Sequence, residues 1–192
     1  PCPLRREYHD IEYLEATGVA VMYGGLRWLG PSDLPDTWIT AGDPGMPPDV
    51  DTNNVIWQYS SIWDLLYANS PPGGRHFRAM VYDSTNARII MFGGYRVSAN
   101  PAVLLNDTWE LTSGLVWNQL SPAHSPTPRE NHDMMYDPLR EVMVLFGGST
   151  ASGIMFDDTW EFAQTEREGS NHDWLQMKPP NSPSARNGHV MG

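Results

Sequence analysis

Six arginines are the residues of this 192-residue chain whose spacing first invites a chemical reading. Arg6, Arg75 and Arg129 each stand eighteen residues ahead of a double glycine, at Gly24 and Gly25, Gly93 and Gly94, and Gly147 and Gly148. Arg27 and Arg96 follow the first two of these pairs by two residues, and Arg186 opens a further copy of the pattern. A guanidinium offers a planar fork of donors that matches a carboxylate, sulfate or phosphate in bidentate fashion. If each leading arginine opens a strand that runs down and returns before the glycines, all six share one end of the molecule. There they predict a local basic ring suited to an acidic peptide or acidic glycan. A plainer reading of Arg6, Arg75, Arg129 and Arg186 is that they brace the proline-rich segments ahead of them through backbone carbonyls. Arg27 and Arg96, on loops after a glycine pair, are the better contact candidates.

Other chemistry-bearing residues are less well placed. His9, His132 and His189 each lie three residues after a repeat-start arginine, so a shared packing or hydrogen-bonding role explains them better than a metal. Arg78 takes that place in the second unit. His76, His124 and His172 lie outside the shared positions, and neither HExxH nor paired-cysteine spacing supports zinc. Asp49, Asp51 and Asn53 alternate like the start of a calcium loop but lack the glycine and closing glutamate that such a loop needs. Asp43, Asp49, Glu166 and Glu168, in irregular loops, are the candidates for acid and base work. No cofactor or metal is expected.

These residues sit in a repeating frame. Trp63, Trp117 and Trp174 each precede an arginine by twelve residues, and "PDTWI", "NDTWEL" and "DDTWEF" place Trp38, Trp109 and Trp160 between the glycines and that later tryptophan. Successive arginines are 54 to 69 residues apart, and only the loops vary. Internal repetition of this period outranks other sequence signals. Each unit holds four apolar runs of strand length. "DMMYD" and "EVMVLF" flank the short turn "PLR", as in a hairpin, and "TWEL" and "LVWNQL" alternate as half-buried strands do. No long helical period is present. The glycine pair therefore reads as a corner that finishes the second strand, since without a following helix it carries no nucleotide signal.

Four short strands per unit with glycine and aromatic marks predict a β-propeller, in which small sheets pack face to face around an axis. The tryptophans then serve as plates between sheets, each burying roughly 150 to 250 Å². The expected architecture is all-β: an open arc of three four-stranded antiparallel blades at residues 6–66, 75–120 and 129–177, with a fourth beginning at 186. Residues 1–192 form one partial propeller domain. The segments "SPPGGR", "SPAHSPTPR" and "PPNSPSAR" read as ordered crossings over one end, and residues 40–59 as a lengthened loop between the third and fourth strands of the first unit.

The pattern "RENHDMMYDPLREVMVLFGG", followed by "FDDTWEF" and "WLQMKPPNSPSAR", resembles a kelch repeat, of the kind also seen in the galactose oxidase central domain. The resemblance covers the chain from Arg6 onward. It implies a propeller of six or seven blades, most often a binding platform and less often an enzyme scaffold, with ligand taken at the end where the repeat-start arginines lie. It also implies that the remaining blades lie in a longer protein. Copper oxidase chemistry of the galactose oxidase type would need a tyrosine crosslinked to cysteine. The single Cys2 precedes the first strand, so that chemistry finds no matching residues.

Composition narrows the partners. A net charge of -11 argues against nucleic acid, whose phosphates need a basic face. No apolar run approaches the roughly eighteen residues of a membrane span. One cysteine leaves the redox compartment unreadable, and localisation stays open. The expected function is a protein- or glycan-binding module. The alternatives are a glycan-acting enzyme scaffold and a structural repeat segment of a larger protein.

Overall fold

The structure, a computed structural model, describes residues 6–27, 33–34, 36–40, 63–66, 72–164 and 172–191. Among these it is all β, without helix. The first unit contributes β1 (Arg6–Glu7), β2 (Asp10–Leu14), β3 (Val19–Tyr23), β4 (Leu26–Arg27), β5 (Thr37–Thr40) and β6 (Trp63–Leu66). The second contributes β7 (Ala79–Asp83), β8 (Arg88–Arg96), β9 (Val103–Thr112) and β10 (Trp117–Leu120). The third contributes β11 (Asp133–Asp137), β12 (Val142–Phe146), β13 (Thr159–Gln164) and β14 (His172–Met177). Three antiparallel four-stranded sheets result, ordered β2-β3-β5-β6, β7-β8-β9-β10 and β11-β12-β13-β14, while β1 and β4 form a two-stranded ribbon.

Local chemistry sets the hairpins. In the third unit the Asp137 carboxylate accepts the Leu139 and Arg140 N–H groups at 3.0 and 3.2 Å, closing the expected turn before Glu141 turns at φ 56°. Gly18 and Ala87 hold the same left-handed position in the other two hairpins. The register then pairs Asp133 with Phe146, Ala79 with Phe92 and Asp10 with Tyr23.

Side-chain alternation explains why the second strand of a unit is apolar throughout. Ile89 and Met91 bury against Leu14, Val21 and Tyr23 of the first sheet, with Leu111 and Trp117 alongside. Ile90 and Phe92, on the other face of β8, bury against Met134, Met143, Leu145, Phe162 and Trp174. A strand sandwiched between two neighbours has no solvent face, so both of its sides are apolar. Two hydrogen bonds fix the spacing of the sheets: the Trp117 indole N–H donates to Thr37 Oγ1 at 3.0 Å, and the Trp174 indole to Thr108 Oγ1 at 2.9 Å. Each joins the tryptophan of a fourth strand to the threonine of the preceding unit's DTW triplet.

One expectation needs correcting. The glycine pair ends the second strand in the first and third units, but β8 continues through Gly93 and Gly94 to Arg96, with a register shift between Phe92 and Gly94. The pair there is a bulge, because β9 is long enough to keep pairing beyond it, Leu105 with Gly94 and Val103 with Arg96. After Arg186 the described residues form no strand. They nonetheless repeat the earlier docking: the Met191 N–H donates to Asp133 Oδ2 at 2.6 Å, as the Met80 N–H does to Asp10 Oδ2 at 3.1 Å.

Candidate functional site

The repeat-start arginines are best understood from their partners. Arg75 Nη1 and Nη2 grip both oxygens of Asp107 at 2.5 and 2.9 Å, Nη1 also donates to Gly93 O, and Nε donates to Gly73 O. Arg129 repeats this with Asp158, Gly147 O and Thr127 O. The same aspartates accept the indole N–H two residues on, from Trp109 and Trp160, at 2.7 Å. Arginine, glycine carbonyl and DTW triplet are thus one device, joining the crossing ahead of each sheet to its second and third strands. Burial alone would raise the Asp107 and Asp158 carboxyls. The hydrogen bonds and charge of Arg75 and Arg129 outweigh it and hold both below the usual carboxylate value. Both arginines are fully buried, and removing one partner of such a pair costs about 3 to 5 kcal/mol.

The glycine pairs are explained by the next unit. All six residues have positive φ, from 59° to 100°. A Cβ on the first glycine would meet the carbonyl oxygen of the following repeat-start arginine, at 2.7 Å for Gly24 and 2.5 Å for Gly147. On the second it would meet a carbonyl of its own unit at 2.8 Å, Glu7 for Gly25, His76 for Gly94 and Glu130 for Gly148. The second glycine also donates its N–H across the gap, Gly94 to Arg129 O at 3.0 Å and Gly148 to Arg186 O at 2.9 Å. His132 and His189 cap these corners, their rings set edge-on to Phe92 and Phe146 at 5.5 Å. Burial, then the charge of Arg129, pushes His132 down to about 3, so its ring is a neutral packing element. At the matching place Arg78 donates to the carbonyls of Tyr8 and Tyr23.

At this end of the sheets lies a concavity of about 240 Å³. Its rim is built by the residues two beyond each repeat-start arginine, Tyr8, Phe77, Asn131 and Gly188, all left-handed with φ between 55° and 61°. Their backbones step around the rim, Asn131 N–H to Phe77 O at 2.9 Å and Gly188 N–H to Asn131 O at 2.8 Å. A left-handed conformation suits glycine and asparagine but is strained for tyrosine and phenylalanine, and such strain collects at ligand sites. It presents Tyr8, half exposed, beside Phe77 at 4.4 Å between ring centroids. Sequence reasoning missed this rim because its four residue types differ. The shared offset from the arginine, and the asparagine and glycine at two of the four places, were the available signal.

Around the rim the arginines have different fates. Arg96 is partly exposed, with Nε donating to Gly74 O at 3.2 Å. Arg186 is exposed and donates to Ser184 O and Oγ. Arg6 and Arg27 are register partners in the β1–β4 ribbon, and their side chains lie outside the described residues, as does that of Trp63. Beside Arg96, Asp33 accepts from His76 Nδ1 at 2.7 Å and from the Ser98 N–H and Oγ at 2.8 and 3.0 Å, tying two post-glycine loops together. Cys2, Asp43, Asp49, Asp51, Asn53, Glu166 and Glu168 lie outside the described residues. Among the described residues no group of three or more His, Cys, Asp or Glu is placed to hold a metal ion, and no helix is long and apolar enough to cross a membrane.

No family model matches the chain, and no curated protein matches it. Among solved structures it is similar to YjhT, with a TM-score of 0.65 and 12% sequence identity over 95% of this chain. The chain spans 55% of that protein's chain. At this identity the likeness concerns the fold alone: an all-β architecture of antiparallel sheets, consistent with a β-propeller.

Proposed function

We propose that the chain is an arc of a kelch-type β-propeller, three blades and the docked start of a fourth, and that it serves as a binding module for a protein or glycan ligand. The observation that carries this reading is the rim, where four equivalent residues hold left-handed backbone around a concavity and two of them are aromatic. The ligand is taken at the end where the repeat-start arginines and post-glycine loops meet. Arg75 and Arg129 hold that end in shape from inside, while Arg96 and Arg186 reach its surface. A peptide and glycan array probed with the chain tests the reading. Capture should be lost in Tyr8→Ser combined with Asn131→Ala and kept in Leu139→Ser, whose exposed side chain sits on the hairpin turn at the other end. Capture that ignores the rim substitutions and disappears with Leu139→Ser would overturn it.

A further inference from the structure

The inner strands below the rim carry a group of carboxylates. Asp10 lines the concavity, and Glu12 lies two residues further along the same side of β2. Asp133 occupies the repeat position of Asp10 in the third sheet. The matching places in β7 are Ala79 and Val81, so the second sheet adds no such charge. Asp10 receives only backbone hydrogen bonds, from the Ile11 and Met80 N–H groups, and among the described residues no ion pair neutralises Asp10, Glu12 or Asp133. Arg78 is the nearby cation, and its guanidinium is committed to the Tyr8 and Tyr23 carbonyls. Burial, then the Asp10 and Asp133 charges, pushes Glu12 up to about 7, and burial raises Asp10 against the pull of Arg78.

Two further features of the wall point to what the charge is for. The rings of Tyr8 and Phe77 meet at 52°, an aromatic corner opening onto the concavity. His132, buried in the wall, packs edge-on against Phe92 and stays neutral, so it adds no cation to the concavity. Aromatic faces and a carboxylate together favour a cation that carries N–H donors. A concavity of about 240 Å³ is below the size of pockets that take drug-sized ligands, and fits one side chain.

We infer that the concavity receives the ammonium group of a lysine side chain from a partner peptide, seated between the Tyr8 and Phe77 faces and the Asp10 carboxylate, with Asp133 adding attraction. The inference rests on the binding-module reading and names the chemistry of its ligand. Calorimetric titration of the chain with acetyl-Gly-Lys-Gly-amide, its acetyl-lysine counterpart and its glutamate counterpart tests it. The lysine peptide should bind, more weakly as salt rises, and acetylation should weaken it about tenfold by removing the charge. Asp10→Asn should have a similar effect, Tyr8→Ala should weaken binding about fivefold, and Tyr8→Phe should preserve it. Above pH 7, where Glu12 is ionised, Glu12→Gln, which leaves the rim intact, should weaken binding by a smaller factor and guards against a folding defect in the Asp10 variant. Equal affinity for the lysine and acetyl-lysine peptides, or no binding of the lysine peptide, overturns the inference. If the glutamate peptide alone binds, and rim substitutions abolish that, the ammonium inference fails while the binding-module reading stands.

Discussion

Glu12, partly buried, and His132, buried, shift stability with pH in opposite directions, and they make the residue-scale account testable. Glu12 keeps its proton in the folded chain up to about 7, against 4.5 as its ordinary value. Between those values the folded state binds more protons, so this group's contribution to stability is lost as pH rises through the window. His132 stays neutral down to about 3, whereas in the unfolded chain it protonates near 6.5, so its contribution is lost as pH falls from 6.5 toward 3. Glu12→Gln is therefore expected to unfold at higher urea concentration than the parent chain above pH 7 and at the same concentration below pH 4.5, read by tryptophan fluorescence. A parent chain that is as resistant as the variant above pH 7 would show that Glu12 is not under strain. The arginine spacing was legible because eighteen residues recur without variation. The partner of each arginine was not, since the aspartate of the DTW triplet reaches Arg75 or Arg129 only after the second and third strands have paired.

The glycine corner shows what holds each element to its neighbour. Gly147 and Gly153 both have positive φ, 65° and 84°, but a Cβ on Gly147 would sit 2.5 Å from Arg186 O while one on Gly153 would meet nothing within 4 Å. The conformational strain of alanine is common to the two, about 1 kcal/mol. The collision with backbone belongs to Gly147 alone. Gly147→Ala is thus expected to cost about 2 kcal/mol more than Gly153→Ala in chemical denaturation, and equal costs would remove the next unit's backbone from the explanation of the glycine pair. At this scale the sequence told most about strands, because alternation and turn residues such as those of "PLR" act locally. It misjudged the end of β8, where pairing with the long β9 carries the strand past Gly93, and it placed the start of the fourth strand early, at "LVWNQL" where β10 begins at Trp117. Both depend on how far a partner strand extends.

Across the whole molecule, the second sheet is enclosed by the first and third: a glycine N–H reaches the next arginine carbonyl at every junction, tryptophan joins threonine between the first and second and between the second and third sheets, and an inner-strand aspartate accepts the following backbone N–H from the first and third sheets. Repetition made this stacking readable from spacing alone, whereas the rim, though its backbone repeats, carries four different residue types and emerged only when the units were brought together. The account's central claim is that ligand is taken at that rim. The most direct test is an amide chemical-shift map of the isotopically labelled chain, titrated with whichever array ligand it captures. The account predicts that the largest shifts fall on Tyr8, Asp10, Phe77, Asn131 and Gly188, with Arg96 close behind. Shifts confined to the hairpin turns at Leu139 and Ala16, or to the outer strands β10 and β14, would contradict it.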